Sequence, residues 1–223
     1  ILVHGAGSYG HPQAEKYIDN LNIGIIPIHN SVKSLNKLFI DSLNKFGISA
    51  IPVHPLSCTI LKNGRIKYIN IEILYTMIKQ GFVPVLHGDI VIDETSKCNI
   101  LSGDQIVTYL AKSMSNYFKE AVQIGIGTNV DGVLDCNNKP IKVLTPDIFK
   151  KILSCINKEG KKSDASLSDV TGGMFGKVKE LLVLAETTGI ESCIFNASKP
   201  NTIIKFLNGN NIGTIIKKES RNS

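Results

Sequence analysis

The residues best suited to chemistry form one run near the start of the chain, His4-Gly5-Ala6-Gly7-Ser8-Tyr9-Gly10-His11-Pro12. Three apolar residues, 1–3, lead directly into it, which is typical of a buried strand that opens into a helix start. Glycine lets the backbone approach a ligand closely, and the free N–H groups at a helix start attract anions. His11 adds a titratable donor beside this turn. We therefore expect the run to hold a phosphate next to an imidazole.

The same glycines also match the dinucleotide-binding fingerprint Gly-x-Gly-x-x-Gly, at Gly5, Gly7 and Gly10. That fingerprint needs an acidic residue about 20 residues further on, where it binds the ribose. The corresponding stretch, residues 25–30, reads Ile-Ile-Pro-Ile-His-Asn and contains no acid. The dinucleotide interpretation is therefore the weaker one.

Further glycine-containing turns follow apolar runs or open predicted helices, at residues 87–89, 101–104, 125–132 and 169–177. Ligands of parallel sheets bind beyond the carboxyl ends of the strands, where such turns gather. Phosphoryl transfer mainly needs charge neutralisation and in-line placement. Lys177, one helical turn after Gly173, is placed to reach nucleotide phosphates. Asp104, at a predicted helix start, is placed to orient lysines or a metal.

The elements that position these turns can be predicted from periodicity. Apolar runs predict strands at residues 48–53, 83–86, 90–92, 121–126, 192–195 and 214–216. Apolar stripes with a period of 3.6 predict helices at residues 35–46, 106–118, 148–156 and 178–185. The polar stretch 157–168 predicts an exposed loop. Strands that alternate with helices favour an α/β fold with a mainly parallel sheet.

Composition narrows the function. The net charge is +6, and only 6% of residues are aromatic, which favours small phosphorylated ligands over single-stranded nucleic acid. Five cysteines without a Cys-x-x-Cys pair predict no zinc site, and indicate buried thiols in a reducing compartment. No apolar run approaches the ~18 residues that cross a bilayer. We expect a cytoplasmic protein with neither nucleic-acid nor membrane partners.

Taken together, five blocks resemble the amino acid kinase superfamily and, within it, the isopentenyl phosphate kinase family. They are HGAGSYGHP (4–12), PVLHGDIVID (84–93), ILSGDQIVTYLA (100–111), GTNVDGVL (127–134) and DVTGGMFGK (169–177). They occur in the family's order and span nearly the whole chain. The resemblance implies a three-layer α/β/α sandwich with a mainly parallel central sheet. It also implies one domain, 1–223, in which residues 1–118 bind the acceptor and residues 119–223 bind the nucleotide.

The resemblance further implies a reaction in which ATP and isopentenyl phosphate give ADP and isopentenyl diphosphate, with Mg²⁺ as cofactor. This step belongs to archaeal-type isoprenoid biosynthesis (the mevalonate pathway), and the family implies a homodimer. By residue, the resemblance assigns acceptor contacts to Ala6, His11 and Gly103. It assigns ATP contacts to Gly7, Asn129, Gly173 and Lys177. From their positions beside the glycine-containing turns, we expect His11, Asp104 and Lys177 to be the catalytic residues. No side chain is assigned as a metal ligand.

The chain departs from the family pattern in three ways. The family usually has a strand and a Lys-x-Gly-Gly-Ser loop for ATP phosphates before the glycine-rich run, and neither precedes Ile1. Either disordered residues before Ile1 are omitted from this sequence or the chain is a fragment. A fragment without that strand is expected to be inactive. The stretch between Tyr17 and His29 is shorter than the family's helical hairpin, and Asn129 stands where Asp is common.

Two other functions remain open on the same fold. A fosfomycin-type or other phosphonate kinase would also act on a phosphorus–oxygen anion. A nucleotide-binding regulator without catalysis is favoured by the missing lysines and by Asn129. Among the other histidines, His4 is predicted to be packed and hydrogen-bonded and His29 and His54 to lie in loops, whereas His87 is undecided.

Overall fold

The computed structural model describes residues 1–118, 122–137, 139–158 and 165–219. The chain divides into two compact units, Ile1–Ser113 and Met114–Ser223. Parallel strand pairs outnumber antiparallel ones, with five of the former and three of the latter among the described residues. The strands alternate with helices, so the predicted α/β class is confirmed.

The first unit contains most of the strands. In chain order its elements are β1 (Leu2–His4), α1 (Gly7–Lys16), α2 (Leu21–Lys45), β2 (Ala50–Pro52), α3 (Pro55–Cys58), β3 (Thr59–Lys62), β4 (Arg65–Ile69), α4 (Ile71–Lys79), β5 (Val83–His87), β6 (Asp89–Asp93) and β7 (Lys97–Leu101). Helix α5 (Gly103–Phe118) begins in this unit and runs past its end.

The first unit contains a three-stranded sheet with the order β1-β5-β2. Both strand pairs are parallel, with Leu2 opposite Val85 and Ala50 opposite Val83. Val85 and Leu86 are fully buried, as expected for a central parallel strand covered on both faces. Because the strands are parallel, their carboxyl ends meet at one edge. A histidine stands at or just after each end: His4, His54 and His87.

A second sheet of the first unit has the order β4-β3-β6-β7. Its β3–β4 hairpin turns at Asn63 and Gly64, which have φ of 53° and 71°. Asn-Gly is the favoured pair for such a left-handed two-residue turn. On one face of this sheet Ile60 pairs with Tyr68, and Ile92 lies on the adjacent strand. All three side chains are exposed, so this face of the unit carries an apolar row.

Helix α2 is longer than the sequence predicted, because it begins at Leu21 and contains Pro27. Its buried residues recur at four-residue spacing: Gly24, Ile28, Val32 and Asn36. Gly47, with φ of 77°, follows the helix and ends it as expected. His29 therefore lies on this helix, whereas the sequence predicted a loop there.

The second unit contains β8 (Ile124–Thr128), β9 (Val143–Leu144), α6 (Pro146–Lys158), α7 (Ala165–Thr188), β10 (Ser192–Asn196), α8 (Thr202–Leu207) and β11 (Thr214–Ile216). Its sheet has the order β8-β10-β11-β9. β8 and β10 are parallel along their whole length, from Ile124 opposite Ser192 to Thr128 opposite Asn196. Helix α7 packs against this unit through the stripe Val178, Leu181, Leu182 and Ala185, which is buried as predicted.

Two expectations for this unit need correction. The glycine turn 169–177 does not open a helix, because α7 already begins at Ala165 and runs through it. Glycine weakens a helix by about 1 kcal/mol but does not interrupt it, so the pair at 172–173 does not mark the start of this helix. Of the predicted loop 157–168, residues 157–158 belong to α6, 165–168 belong to α7, and 159–164 lie outside the described residues.

Three of the five cysteines agree with the expectation of buried thiols, and two do not. Cys98 and Cys193 are buried and Cys58 is half-buried, as free thiols. Cys136 and Cys155, however, lie within disulfide-bonding reach, with their Cα atoms 6.5 Å apart. Sequence spacing gave no sign of this pairing. Among the residues that the structure describes, no helix is both long and apolar enough to cross a bilayer.

Candidate active site

Three of the predicted turns meet in the first unit. The place that a Cβ on Gly88 would occupy lies 3.4 Å from the backbone nitrogen of Gly103 and 3.6 Å from that of Ala6. The N–H of Gly88 donates to the carbonyl of His4 at 2.9 Å, which ties the β5–β6 turn to the glycine-rich run. The structure therefore brings the backbone nitrogens of Ala6 and Gly103, two predicted acceptor contacts, to the same side of Gly88.

The glycine-rich run forms the start of α1. Ala6 is the N-cap, and Gly7, the first helical residue, has φ of 52°. That conformation is costly for a residue with a Cβ, which explains the need for glycine. The first N–H groups of a helix have no acceptor within the helix, and they favour negative charge. Gly5, Gly7 and Ser8 are exposed, so an anion can reach these groups from solvent.

His11 lies on the exposed side of α1, directly after the buried Gly10. Val32 of α2 would lie 3.3 Å from a Cβ on Gly10, so the helix that carries His11 packs tightly on α2. Asp104 is the second residue of α5 and is half-buried. A carboxylate in the first turn complements the helix dipole, which is the ordinary structural role for such a residue.

Two of the strand-end histidines make the same type of hydrogen bond, from Nδ1 to the carbonyl oxygen of the next residue. His4 Nδ1 lies 2.8 Å from the carbonyl oxygen of Gly5, and His87 Nδ1 lies 3.0 Å from that of Gly88. A carbonyl only accepts, so each Nδ1 carries a hydrogen and donates. Burial lowers the pKa of His4, and burial lowers the pKa of His87 to about 4. Both rings are therefore neutral near pH 7.

His54 and His29 extend this cluster. His54 Nδ1 lies 2.9 Å from His87 Nε2, which must accept because the other nitrogen of that ring donates. His29 Nδ1 lies 3.0 Å from both carboxylate oxygens of Asp89. The sequence prediction of ordinary loop histidines was wrong for His29, since a long-range pairing across 60 residues leaves no local sequence signal.

Asp89 is the buried acceptor of this cluster. Besides the His29 contact, its carboxylate accepts the N–H of Ile90 at 2.9 Å and that of Leu56 at 3.2 Å. Burial raises the pKa of Asp89, while His29 and the two N–H groups act in the opposite direction. The carboxylate thus links helix α2, helix α3 and the start of β6.

In the second unit, polar groups gather where the parallel strands β8 and β10 end. The side-chain amide of Asn196 donates to the carbonyl of Asn129 at 3.3 Å and to Asp131 at 3.0 Å. Lys199 Nζ lies 2.6 Å from the Asp131 carboxylate. Hydrogen bonds from Lys199 and Asn196 lower the pKa of Asp131. The sheet edge that carries Asn129 thus presents exposed hydrogen-bond donors and acceptors. Asn196 and Lys199, which contribute to it, were not predicted from the sequence.

The remaining predicted nucleotide contacts lie on α7. Lys177 is half-buried and Gly173 is exposed, four residues earlier on the same helix. The place of a Cβ on Gly173 is open, with no atom within 4 Å. Four residues correspond to about one helical turn, so both positions lie on one face of α7. The structure thus places both residues on one helix, and contact of Lys177 with nucleotide phosphates stays a prediction.

No group of three or more His, Cys, Asp or Glu side chains that could hold a metal ion occurs among the described residues. Mg²⁺ in phosphoryl-transfer enzymes is usually held by one or two carboxylates together with the substrate's own phosphates. A cation bound in that way needs no group of three side chains.

Comparison with known proteins identifies the class of fold. The model of the amino acid kinase family matches residues 1–196. A relative from Methanocaldococcus jannaschii, named isopentenyl phosphate kinase, is 36% identical over 97% of this chain and 80% of its own length. One from Methanothermobacter thermautotrophicus, with the same name, is 35% identical over 95% of this chain and 81% of its own length.

A solved structure agrees with these relatives. An X-ray structure of isopentenyl phosphate kinase superposes with a TM-score of 0.75 at 30% identity, and the match covers 96% of this chain and 82% of that one. The chain therefore belongs to the amino acid kinase family and, within it, to the isopentenyl phosphate kinases.

Proposed function

We propose that this protein transfers the γ-phosphoryl group of ATP to isopentenyl phosphate and so forms ADP and isopentenyl diphosphate. The observation that carries the proposal is the identity of 36% to an isopentenyl phosphate kinase across nearly the whole chain. The meeting of the glycine-rich run with the turns at Gly88 and Gly103 supports it, since N–H groups from two segments border one small space.

The acceptor phosphate is placed at the start of α1 in this proposal. The backbone N–H groups of Ala6 and Gly103 bind its oxygens, and His11 donates a further hydrogen bond from the same helix. A phosphate monoester is already an anion, so its attacking oxygen needs no strong general base. His11 positions and partly neutralises the acceptor, an effect that matters most where charge is crowded in the transition state.

The nucleotide is assigned to the second unit. Asn129 lies at the edge of β8 and β10, while Gly7 of the first unit is the predicted contact for the phosphates. Lys177 and Gly173 share one face of α7, from which an ammonium group can neutralise phosphate oxygens. Mg²⁺ would neutralise phosphate charge, and nucleotide oxygens with at most two side-chain carboxylates would hold it. Asp104, which directly follows the predicted acceptor contact Gly103, is the candidate carboxylate.

A homodimer and a cytoplasmic location complete the proposal. The exposed apolar row Ile60, Tyr68 and Ile92 supports self-association, because such a surface is stabilised when it is covered. The free thiols of Cys58, Cys98 and Cys193 support a reducing compartment, whereas the reach of Cys136 to Cys155 does not. Sedimentation of the purified protein, compared with an Ile60→Lys variant, tests the dimer.

The function is tested by coupling ADP formation to NADH oxidation with a panel of acceptors. The panel contains isopentenyl phosphate, a second short isoprenoid monophosphate, glycerol phosphate, fosfomycin and N-acetylglutamate. Isoprenoid monophosphates are expected to give the highest kcat/KM, because an apolar pocket gains roughly 0.8 kcal/mol for each buried CH₂. A preference for fosfomycin or a polar ester would overturn the isoprenoid assignment and leave the kinase class intact. ATP binding without turnover of any acceptor would favour a regulator.

A further inference from the structure

We propose that His4 is a positioning residue for the acceptor anion. Its ring, held in one tautomer by Asn36, fixes the Gly5–Ala6 peptide so that the N–H of Ala6 faces the acceptor phosphate. This inference rests on the proposed function, which places that phosphate at the start of α1. It assigns a function to His4, which does not itself contact the phosphate.

The tautomer follows from the two partners of the ring. Nδ1 lies 2.8 Å from the Gly5 carbonyl oxygen, which can only accept, so Nδ1 carries the hydrogen. Nε2 lies 3.1 Å from Asn36 Nδ2, an amide donor, so Nε2 accepts. The same Nδ2 lies 3.4 Å from the carbonyl oxygen of Val85, and a flipped amide would set two acceptors against each other there. Both ends of the ring therefore select the neutral Nδ1-protonated form.

The ring has little freedom to turn. It is 7% exposed and stacks on Phe39 with ring centroids 4.5 Å apart and planes at 10°. His87 stacks on it at 5.5 Å. Asn36, on the same helix as Phe39, is fully buried. The donor on Nδ1 is therefore held in place by packing before any ligand binds.

The bond to the Gly5 carbonyl sets the direction of the next N–H. That carbonyl and the N–H of Ala6 belong to one peptide group, and the described chain has no cis peptide bond. In a planar trans peptide the C=O and N–H point in opposite directions. Since the oxygen points to His4, the N–H of Ala6 points away from it. The nitrogen of Ala6 borders the space beside Gly88 that the nitrogen of Gly103 also borders.

The geometry is analogous to an oxyanion hole, in which donors fixed in advance cost no reorganisation when the anion arrives. Without the imidazole, the exposed Gly5 leaves its peptide free to rotate, because glycine has few conformational restrictions. The acceptor site would then lose a preorganised donor although no residue that contacts the phosphate has changed.

Two matched amide variants separate this role from simple packing. The amide of His4→Asn places a donor where Nδ1 was, whereas the longer His4→Gln places its amide near the former Nε2. Both leave a buried polar group of similar chemistry. Titration calorimetry with isopentenyl phosphate is expected to show a Kd raised about tenfold or more in His4→Gln and less than about threefold in His4→Asn. The Kd for ATP should be unchanged in both.

Nitrogen-15 NMR of the His4 ring, assigned by its loss in His4→Asn, provides a readout that needs no turnover. The ligand-free wild-type protein should show hydrogen on Nδ1 and a bare Nε2. Hydrogen on Nε2, or equal Kd values for the two folded variants, would overturn the proposal. Failure of the wild-type protein to bind isopentenyl phosphate would instead refute the proposed function. In that case the tautomer measurement would test only the hydrogen bonds of the His4 ring. Circular dichroism would confirm that each variant is folded.

Discussion

His87 should make the stability of this protein depend on pH in a predictable way. Its side chain is fully buried, and burial lowers its pKa from 6.5 to about 4. Between these two values the unfolded chain binds a proton that the folded chain does not. Stability contributed by neutral His87 is therefore present above about pH 6.5 and is lost as the pH falls towards 4.

The size of the effect follows from the same two values. One pKa unit corresponds to about 1.4 kcal/mol, so the full gap amounts to about 3 kcal/mol, and the portion between pH 7 and pH 5 to about 2 kcal/mol. Total stabilities of about 5–15 kcal/mol make this a large fraction. The His4 and His54 pKa values are lowered as well, and they act in the same direction, whereas the raised pKa of Asp89 acts in the opposite direction.

A variant that cannot titrate at position 87 tests this contribution, together with the part of the lowered His54 pKa that depends on His87. His87→Asn keeps a donor for the Gly88 carbonyl but cannot titrate. Urea unfolding of both proteins between pH 5 and pH 7.5 gives two stability curves. Their difference should grow by about 2 kcal/mol from pH 5 to pH 7, with the wild type gaining. Parallel curves would show that His87 is not held neutral by burial and would refute the reasoning.

Three further predictions concern the site itself. His11→Ala is expected to lower kcat/KM for isopentenyl phosphate about tenfold to a hundredfold while the Kd for ATP is unchanged, because a hydrogen bond to a charged group contributes about 1.5–3 kcal/mol; an unchanged kcat/KM would exclude His11 from the acceptor site. Lys177→Ala should weaken ATP more than the acceptor in separate titrations, and a defect in acceptor binding alone would mean that the two subsites are reversed. Gly88→Ala should raise the acceptor KM, since an added Cβ would meet backbone atoms at 3.3 and 3.4 Å. Gly176→Ala is its matched control, because an added Cβ there meets nothing within 4 Å.

Much of the fold could be predicted because its signals are local. The apolar run before the glycine-rich turn and the stripe that includes Leu181 and Leu182 appear in the structure as β1 and as the buried face of α7. The hairpin at Asn63-Gly64 has an equally local signal, since both residues adopt positive φ in its turn. The start of α7 differs from the prediction because the glycine pair at 172–173 lies inside the helix, where neighbouring residues continue the helix through glycine.

The candidate site was only partly predictable, for a physical reason. The glycine-rich run, His11 and the turn at Gly103 have recognisable sequence patterns, and the structure places Ala6 and Gly103 together. The supporting cluster depends on contacts between residues far apart in the chain, such as His29 with Asp89 and His4 with Asn36. No periodicity or spacing records such pairs, since they exist only once the helices and strands have packed.

The central claim is that a phosphoryl group passes from ATP to an isoprenoid monophosphate. Phosphorus NMR of the protein with ATP, Mg²⁺ and isopentenyl phosphate tests it most directly, because the product's two coupled phosphorus signals differ from those of the acceptor. The account predicts that a diphosphate ester appears in an amount equal to the ADP formed, and that His11→Ala slows its appearance. ADP accompanied only by inorganic phosphate, with isopentenyl phosphate unchanged, would contradict it.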